Sequence, residues 1–328
     1  MPTLPHRALG KQGLKVSAIG LGCMSLSGVY GTSDDEAGIA LIHRAIDLGV
    51  DHFDSSDMYG WGHNETVLGR ALKGRRDRVV LATKFGQVRR EGQGNGVDGS
   101  PKHVMQACED SLKRLGVEVI DLYYQHRVDP SVPIEDTVGA MAELVKQGKV
   151  RYLGLSEAKP DTIRRAHKVH PISAVQTEYS LLYRTEAEET RKLTRELGIG
   201  FVAYSPLGRG FLTGAIKQFA DVDGRRAAHP RFQEANFAHN RALVAKVEAI
   251  AAVKRCTPAQ VTLAWLLAQG DDVAAIPGTR YIKRMQENLG ALEVKLTSDD
   301  VAAISRAVPT GSASGQRYPA AAMNAVQL

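Results

Sequence analysis

Four side chains far apart in the chain have the types needed to hand a proton to an oxygen that gains negative charge: Asp54, Tyr59, Lys84 and His126. A phenol, ordinarily near pKa 10, is a poor donor at neutral pH unless a cation lowers it. Lys84 is the candidate cation. Asp54 would keep Lys84 charged and oriented, and His126 could hydrogen-bond the same oxygen. Singly, each has an ordinary structural reading: Asp54 as a cap of the loop Ser55 to Gly60, Lys84 as a solvated charge. Jointly they stand out, because each lies at or just past the end of a short apolar run. The same place after the later runs holds Ser156 and Glu157, Gln176, Tyr204 and Ser205, then Thr279 and Arg280.

Those runs are the elements that must position the polar residues. The predicted strands are Ile19 to Gly22, Val50 to Asp54, Val79 to Thr83, Ile120 to Gln125, Tyr152 to Ser156, Ala174 to Glu178, Gly200 to Tyr204 and Ala274 to Pro277. Several are apolar throughout rather than alternating, as in parallel strands covered on both faces. Helical patterns lie between them. Ser33 and Glu36 suggest a capping box, Ser100 followed by Pro101 opens a second helix, and Thr257, Pro258 and Gln260 open a third. Eight strand–helix units predict an α/β fold, a (β/α)8 TIM barrel, whose strand ends share one mouth. An open doubly wound sheet is the alternative. The segment LGKQGLKVS is expected to form an N-terminal β-hairpin around Lys11 to Gly13, outside the main sheet.

Length and composition bound the rest. The chain has 328 residues, 43% apolar and 24% charged, with a formal charge of +6. That is globular composition with a charge excess that fits an anionic ligand as well as a nucleic acid, and no basic tail is present. No interdomain linker appears, so residues 1–328 are expected to form one domain, with residues 308–328 a tail near the mouth. Cys23, Cys108 and Cys256 are three, and no two form a C-x-x-C pair. A disulfide framework or a metal site is not expected, and reduced thiols suit a cytoplasmic location. No run approaches about 18 apolar residues, and the first residues lack an apolar signal core. Two connections are long, residues 86–99 and 205–236, and loops of that length are usually functional or disordered. The tail is expected to influence substrate choice rather than stability.

The chain resembles the aldo-keto reductase family. The resemblance is carried by FDSSDMYG (Phe53 to Gly60), TKFG (Thr83 to Gly86), LYYQHR (Leu122 to Arg127), GLSE (Gly154 to Glu157), QTEYS (Gln176 to Ser180), YSPLGRGFLTG (Tyr204 to Gly214) and IPGTR followed by RMQEN (Ile276 to Asn288), with a family-like Arg317 to Pro319. It implies a tetrad of Asp54, Tyr59, Lys84 and His126, with Tyr59 as the acid that protonates a carbonyl oxygen. It also implies NADPH or NADP+ in the barrel mouth, used without a Rossmann fold. No G-x-G-x-x-G occurs; Gly20-Leu-Gly22 is followed by Ser25.

By the same resemblance, Tyr204 would stack on the nicotinamide, and Ser156 and Gln176 would bind its carboxamide. Ser205, Leu207, Gly208 and Gly210 would line the pyrophosphate. Gly278 lies in the IPGTR motif; Thr279, Arg280 and Arg284 would meet the 2′-phosphate, and Gln286, Glu287 and Asn288 the adenine end. Glu157 departs from the Asn found in many relatives, and a carboxylate cannot donate to the carboxamide oxygen. The implied partner is a small-molecule carbonyl substrate, with neither nucleic acid nor membrane; a monomer or an oligomer is equally compatible. Two other readings compete: a lyase using Lys84 for a Schiff base, and a regulatory protein, akin to an ion-channel subunit, that keeps the cofactor.

Overall fold

Apolar runs that can be covered on both faces become the staves of a parallel barrel. The structure is a computed structural model and describes residues 4–28, 34–90 and 94–328. In chain order its strands are β1 (His6–Leu9), β2 (Leu14–Ser17), β3 (Leu21–Gly22), β4 (His52–Asp54), β5 (Val80–Phe85), β6 (Gln87–Arg90), β7 (Gly94–Val97), β8 (Ile120–Gln125), β9 (Val150–Ser156), β10 (Ile172–Glu178), β11 (Gly200–Tyr204) and β12 (Val273–Ile276). The α-helices that flank the barrel next to the site are α1 (Asp35–Asp47), α2 (His63–Leu72) and α3 (Pro101–Leu115).

The main sheet runs β3-β4-β5-β8-β9-β10-β11-β12, with every neighbouring pair parallel. Parallel bridges Ile19 to Ala275 and Gly22 to Gly278 join the first strand to the last. The Gly20 amide donates to the Ala275 carbonyl at 2.8 Å, and the Ala275 amide to that of Ala18 at 2.9 Å. The alternative of an open sheet is thereby excluded. Observed strands match the predicted ones to within a few residues at each end.

The N-terminal hairpin lies where the barrel needs a floor. β1 pairs antiparallel with β2, and Leu9, Leu14 and Val16 pack with Ala82, Leu122, Tyr124, Ala174, Val202, Ala274 and Ile276 in the barrel interior. Burial of each aliphatic side chain there contributes roughly 1.5–3 kcal/mol. Gly200 permits the approach: a Cβ on it would fall 2.5 Å from Leu9 Cα. With that end plugged, the strand C-termini form the open mouth.

Helix starts follow local chemistry. Ser100 caps α3 by accepting from the His103 amide at 3.3 Å, and its buried face is the one the spacing predicts: Val104, Ala107, Cys108, Ser111, Leu112 and Leu115. Thr257 and Gln260 form the expected reciprocal box. The first helix differs. Ser33 lies outside the described residues, and the cap is Asp34, which accepts from the Ala37 amide at 3.1 Å. The segment 86–99, expected to be a loop, is largely the antiparallel hairpin β6–β7. Its glycines have no side chains to alternate, so the strand pattern is silent there.

Candidate active site

The chain turns sharply after β4, and that turn aims Tyr59 back over the mouth. Gly60, Trp61 and Gly62 all have left-handed backbone, with φ of 59°, 52° and 97°. At Gly60 a Cβ would stand 3.0 Å from His63 Cβ. Trp61 adopts a conformation that glycine favours, and the Arg89 guanidinium from β6 sits 4.5 Å from its ring centroid.

Asp54 is the last residue of β4, Lys84 the penultimate residue of β5, and His126 follows β8, so all three lie at the mouth. The Lys84 ammonium is fully buried. It ion-pairs with Asp54 Oδ1 and donates to the Ser55 carbonyl at 2.7 Å. The other Asp54 oxygen accepts from Gln176 Nε2 at 2.7 Å. Lys84 Nζ lies 5.2 Å from the Tyr59 ring centroid, and His126 meets that ring edge-on, with centroids 5.8 Å apart. The structure therefore brings together the four residues that the sequence singled out.

Electrostatics correct one expectation. Burial pushes the Tyr59 phenol up and Asp54 adds to this, while Lys84 and Arg127 pull it back; the net direction is upward. The sequence predicts only the pull of Lys84, because burial is a property of the folded mouth. Burial by itself would lower the Lys84 ammonium, but Asp54 and Tyr59 outweigh it and hold the amine charged. His126 is pushed well below its usual range by burial, with Arg127 and Lys84 adding to the effect. At neutral pH the site thus holds a neutral phenol, an ammonium and a neutral imidazole.

A second group of residues lines the mouth beside these. Ser156 and Gln176 are buried at the ends of β9 and β10, and Thr279 is buried after β12. Past β11, Ser205, Gly208, Arg209 and Gly210 are left-handed, with φ of 46°, 56°, 58° and 93°. The turn closes on itself: the Gly208 amide donates to the Ser205 carbonyl at 2.9 Å and the Gly210 amide to the Leu207 carbonyl at 3.0 Å. A Cβ on Gly208 would press within 3.2 Å of Leu182. Arg280 and Arg284 flank the Tyr281 ring, 5.3 and 5.6 Å from its centroid, where a helix of eight residues, Ile282–Leu289, begins. Gln286 is exposed, Glu287 half-buried and Asn288 buried on that helix. Gly278 lies against Gly22, and nearby Ser25 has a buried hydroxyl without a hydrogen-bond partner among the described residues.

The model of the Aldo/keto reductase family matches residues 18–309. The chain belongs to that family. It is 50% identical over 313 residues to a protein described as probable aldo-keto reductase 1 of Glycine max, covering 94% of this chain and 90% of the relative. Its fold is similar to that of aldo-keto reductase AKR11C1 from Bacillus halodurans in its holo form, with a TM-score of 0.80 and 30% identity over 94% of this chain and 97% of that one. The glycerol dehydrogenase AKR11B4 from Gluconobacter oxydans gives a TM-score of 0.83 and 29% identity, with 93% and 96% covered. As an aldo/keto reductase, the protein is an oxidoreductase acting on carbonyl or alcohol groups.

The tail of this aldo/keto reductase departs from expectation. Arg317 is almost fully buried and grips Glu157, with Nη1 2.7 Å from Oε1 and Nη2 on Oε2. The same carboxylate accepts from the Tyr204 hydroxyl at 2.8 Å and the Glu178 amide at 3.1 Å. Tyr318 joins its hydroxyl to that of Tyr204 at 3.0 Å. The Gln327 amide donates to the Glu157 carbonyl at 2.7 Å, and the Lys159 amide to that of Leu328 at 2.9 Å. Glu157 thus has a structural duty, holding the tail against the barrel. Composition suggests a loose tail; the pairing of Arg317 with a residue 160 positions away cannot be read from it. Arg127, quoted in a motif but given no duty, donates to the His126 carbonyl at 2.7 Å and to Ser156 Oγ at 3.3 Å.

Proposed function

We propose that the protein reduces aldehydes or ketones to alcohols with NADPH, and that Tyr59 supplies the proton. The observation that carries this reading is the buried Lys84, charged between Asp54 and Tyr59 with a neutral His126 across the phenol. NADPH, when bound, supplies the hydride that adds to the carbonyl carbon. The residues present fit such a cofactor: a left-handed glycine turn at Leu207–Gly210 that permits close backbone approach, two arginines at a helix start, and a buried Ser25 hydroxyl with no hydrogen-bond partner among the described residues.

As hydride adds, negative charge grows on the substrate oxygen. Tyr59 meets that charge with a proton, and the Lys84 ammonium stabilises the phenolate left behind. His126 hydrogen-bonds the same oxygen and orients it. Asp54 keeps Lys84 charged, and Gln176 keeps Asp54 in place. One N–H of the Gln176 amide is taken by Asp54, which leaves its second N–H and its carbonyl oxygen for the carboxamide. Tyr204 offers its ring to the nicotinamide, its hydroxyl being tied to Glu157. A Schiff base at Lys84 is disfavoured, since an amine nucleophile must shed its proton and Asp54 opposes that.

The direct test follows NADPH absorbance with a panel of aldehydes, ketones and sugars. Consumption with at least one class supports the reading; no consumption together with no cofactor binding overturns it. The expected cofactor choice follows from the arginines. Arg280→Ala and Arg284→Ala should each weaken NADPH binding about 10- to 150-fold, the worth of a charge-assisted contact of roughly 1.5–3 kcal/mol. NADH, which lacks the 2′-phosphate, should lose far less in parallel titrations. Equal losses for both would remove the 2′-phosphate from these residues.

A further inference from the structure

Ser56 and Asp57 stand between Asp54 and Tyr59, and neither takes part in the proton and hydride steps above. The geometry around them nevertheless bears on His126. Ser56 Oγ is 2.9 Å from His126 Nδ1 and 3.2 Å from Asp57 Oδ1. It also accepts from the Met58 amide at 3.3 Å, and the Lys84 carbonyl lies 3.5 Å away. The other ring nitrogen, Nε2, makes no hydrogen bond among the described residues. Ser56 is fully buried and His126 nearly so.

We propose that Ser56 is a positioning residue that decides which ring nitrogen of His126 carries the proton, and that Asp57 decides which way the Ser56 hydroxyl points. The proposal rests on the reading that His126 hydrogen-bonds the substrate oxygen. A serine hydroxyl has one proton to give, and a neutral imidazole has one N–H. When Ser56 donates to Nδ1, the His126 proton sits on Nε2, and Nε2–H is a donor for a carbonyl oxygen. When Ser56 donates to Asp57 instead, His126 must donate from Nδ1 to Ser56. Nε2 then presents a lone pair, which repels the carbonyl oxygen. The 2.9 Å contact with Nδ1 is made in either arrangement; the longer 3.2 Å reach to Asp57 Oδ1 favours the first.

Asp57 competes for the hydroxyl proton only when it is ionised. Burial and the Glu65 carboxylate of α2 push its carboxyl up, against the Ser56 hydroxyl, the Arg114 guanidinium of α3 and the Met58 amide, and leave it at about 7. Below that pH the protonated acid does not compete and His126 is a donor at Nε2. Above it the carboxylate draws the hydroxyl away. Arg127 and Lys84 face the ring throughout and, with burial, keep it neutral, so His126 changes tautomer rather than charge.

Two readouts test this: the pH profile of kcat/KM for carbonyl reduction, and the ¹⁵N shifts of His126 in histidine-labelled protein, assigned by comparison with His126→Asn. The unsubstituted enzyme should lose kcat/KM as pH rises through about 7, while the His126 proton moves from Nε2 to Nδ1. Asp57→Asn cannot ionise, so both the fall and the tautomer change should vanish. Ser56→Ala should lower kcat/KM by about twofold to tenfold below pH 7, the effect of one neutral hydrogen bond, and Ser56→Thr should restore it. If Ser56→Ala fails to fold, the Asp57→Asn and Ser56→Thr measurements decide. A fall with pH that persists in Asp57→Asn, or ¹⁵N shifts that ignore pH, would overturn the proposal. The shifts are read in the resting protein, so absence of carbonyl reduction would sink the proposed function separately.

Discussion

Tyr59→Phe should slow hydride transfer by about 10²- to 10⁴-fold, the usual cost of losing a general acid, in a single turnover with NADPH prebound. The substitution removes one hydroxyl and keeps the ring that Lys84 and His126 pack against. Cofactor affinity should therefore survive, which separates a chemical defect from a binding one. The upward push on the phenol sharpens the expectation. A proton held this firmly does not leave in the resting site; it leaves when the substrate oxygen becomes a stronger base. The donor then matters most at the top of the barrier, and its loss appears in the rate of the step rather than in KM. Lys84→Met should cost a similar factor, because it removes the charge that stabilises the phenolate and leaves Asp54 buried without its cation. Near-normal single-turnover rates in Tyr59→Phe would transfer the acid role to His126.

What the sequence made legible was whatever depends on local pattern. Ile120–Gln125 and Gly200–Tyr204 are runs covered on both faces, and periodicity alone places them. Strand ends then put Asp54, Lys84 and His126 at one mouth, since a barrel has only one at its strand C-termini. Tyr59 belongs with them only because three left-handed residues fold its loop back, a feature hinted at by Gly60 and Gly62 and completed by Trp61. Other features depend on distant partners. The direction in which the phenol shifts is decided by burial, and the role of Ser56 by a histidine 70 positions away. The buried charge cluster at Glu157, Glu178, Arg209, Arg231 and Arg317 gathers residues from four separate stretches of chain. No window of sequence contains such a cluster, and the motifs that hold Arg209 and Arg317 do not say that the two meet around buried carboxylates.

That cluster yields the largest expected change in stability. Arg317→Met should destabilise the fold by about 3–5 kcal/mol, the cost of removing one partner of a buried ion pair. Glu178 would keep Arg209 and Arg231, at 3.2 and 3.5 Å. Glu157 would keep its hydrogen bonds from the Tyr204 hydroxyl and the Glu178 amide, and the more distant charge of Arg127. Burial is the largest influence on the Glu157 carboxyl and pushes it up; Arg317, with Arg127 and the Glu178 amide, outweighs that and holds it below its usual range. A folded pKa below the unfolded one adds stability above the unfolded value, and that stability is lost as pH falls. Without Arg317 burial prevails, the carboxyl moves upward, and ionised Glu157 becomes a cost at neutral pH. The deficit of Arg317→Met relative to the unsubstituted protein should therefore be largest near neutral pH and shrink on acidification, as Glu157 takes up a proton. Glu157→Gln combined with Arg317→Met should recover part of the loss, because no unpaired charge remains. Urea unfolding midpoints of the three variants, measured between acidic and neutral pH, give both the size and the slope. A midpoint for Arg317→Met equal to that of the unsubstituted protein at neutral pH would mean that the tail rests on the barrel without supporting it.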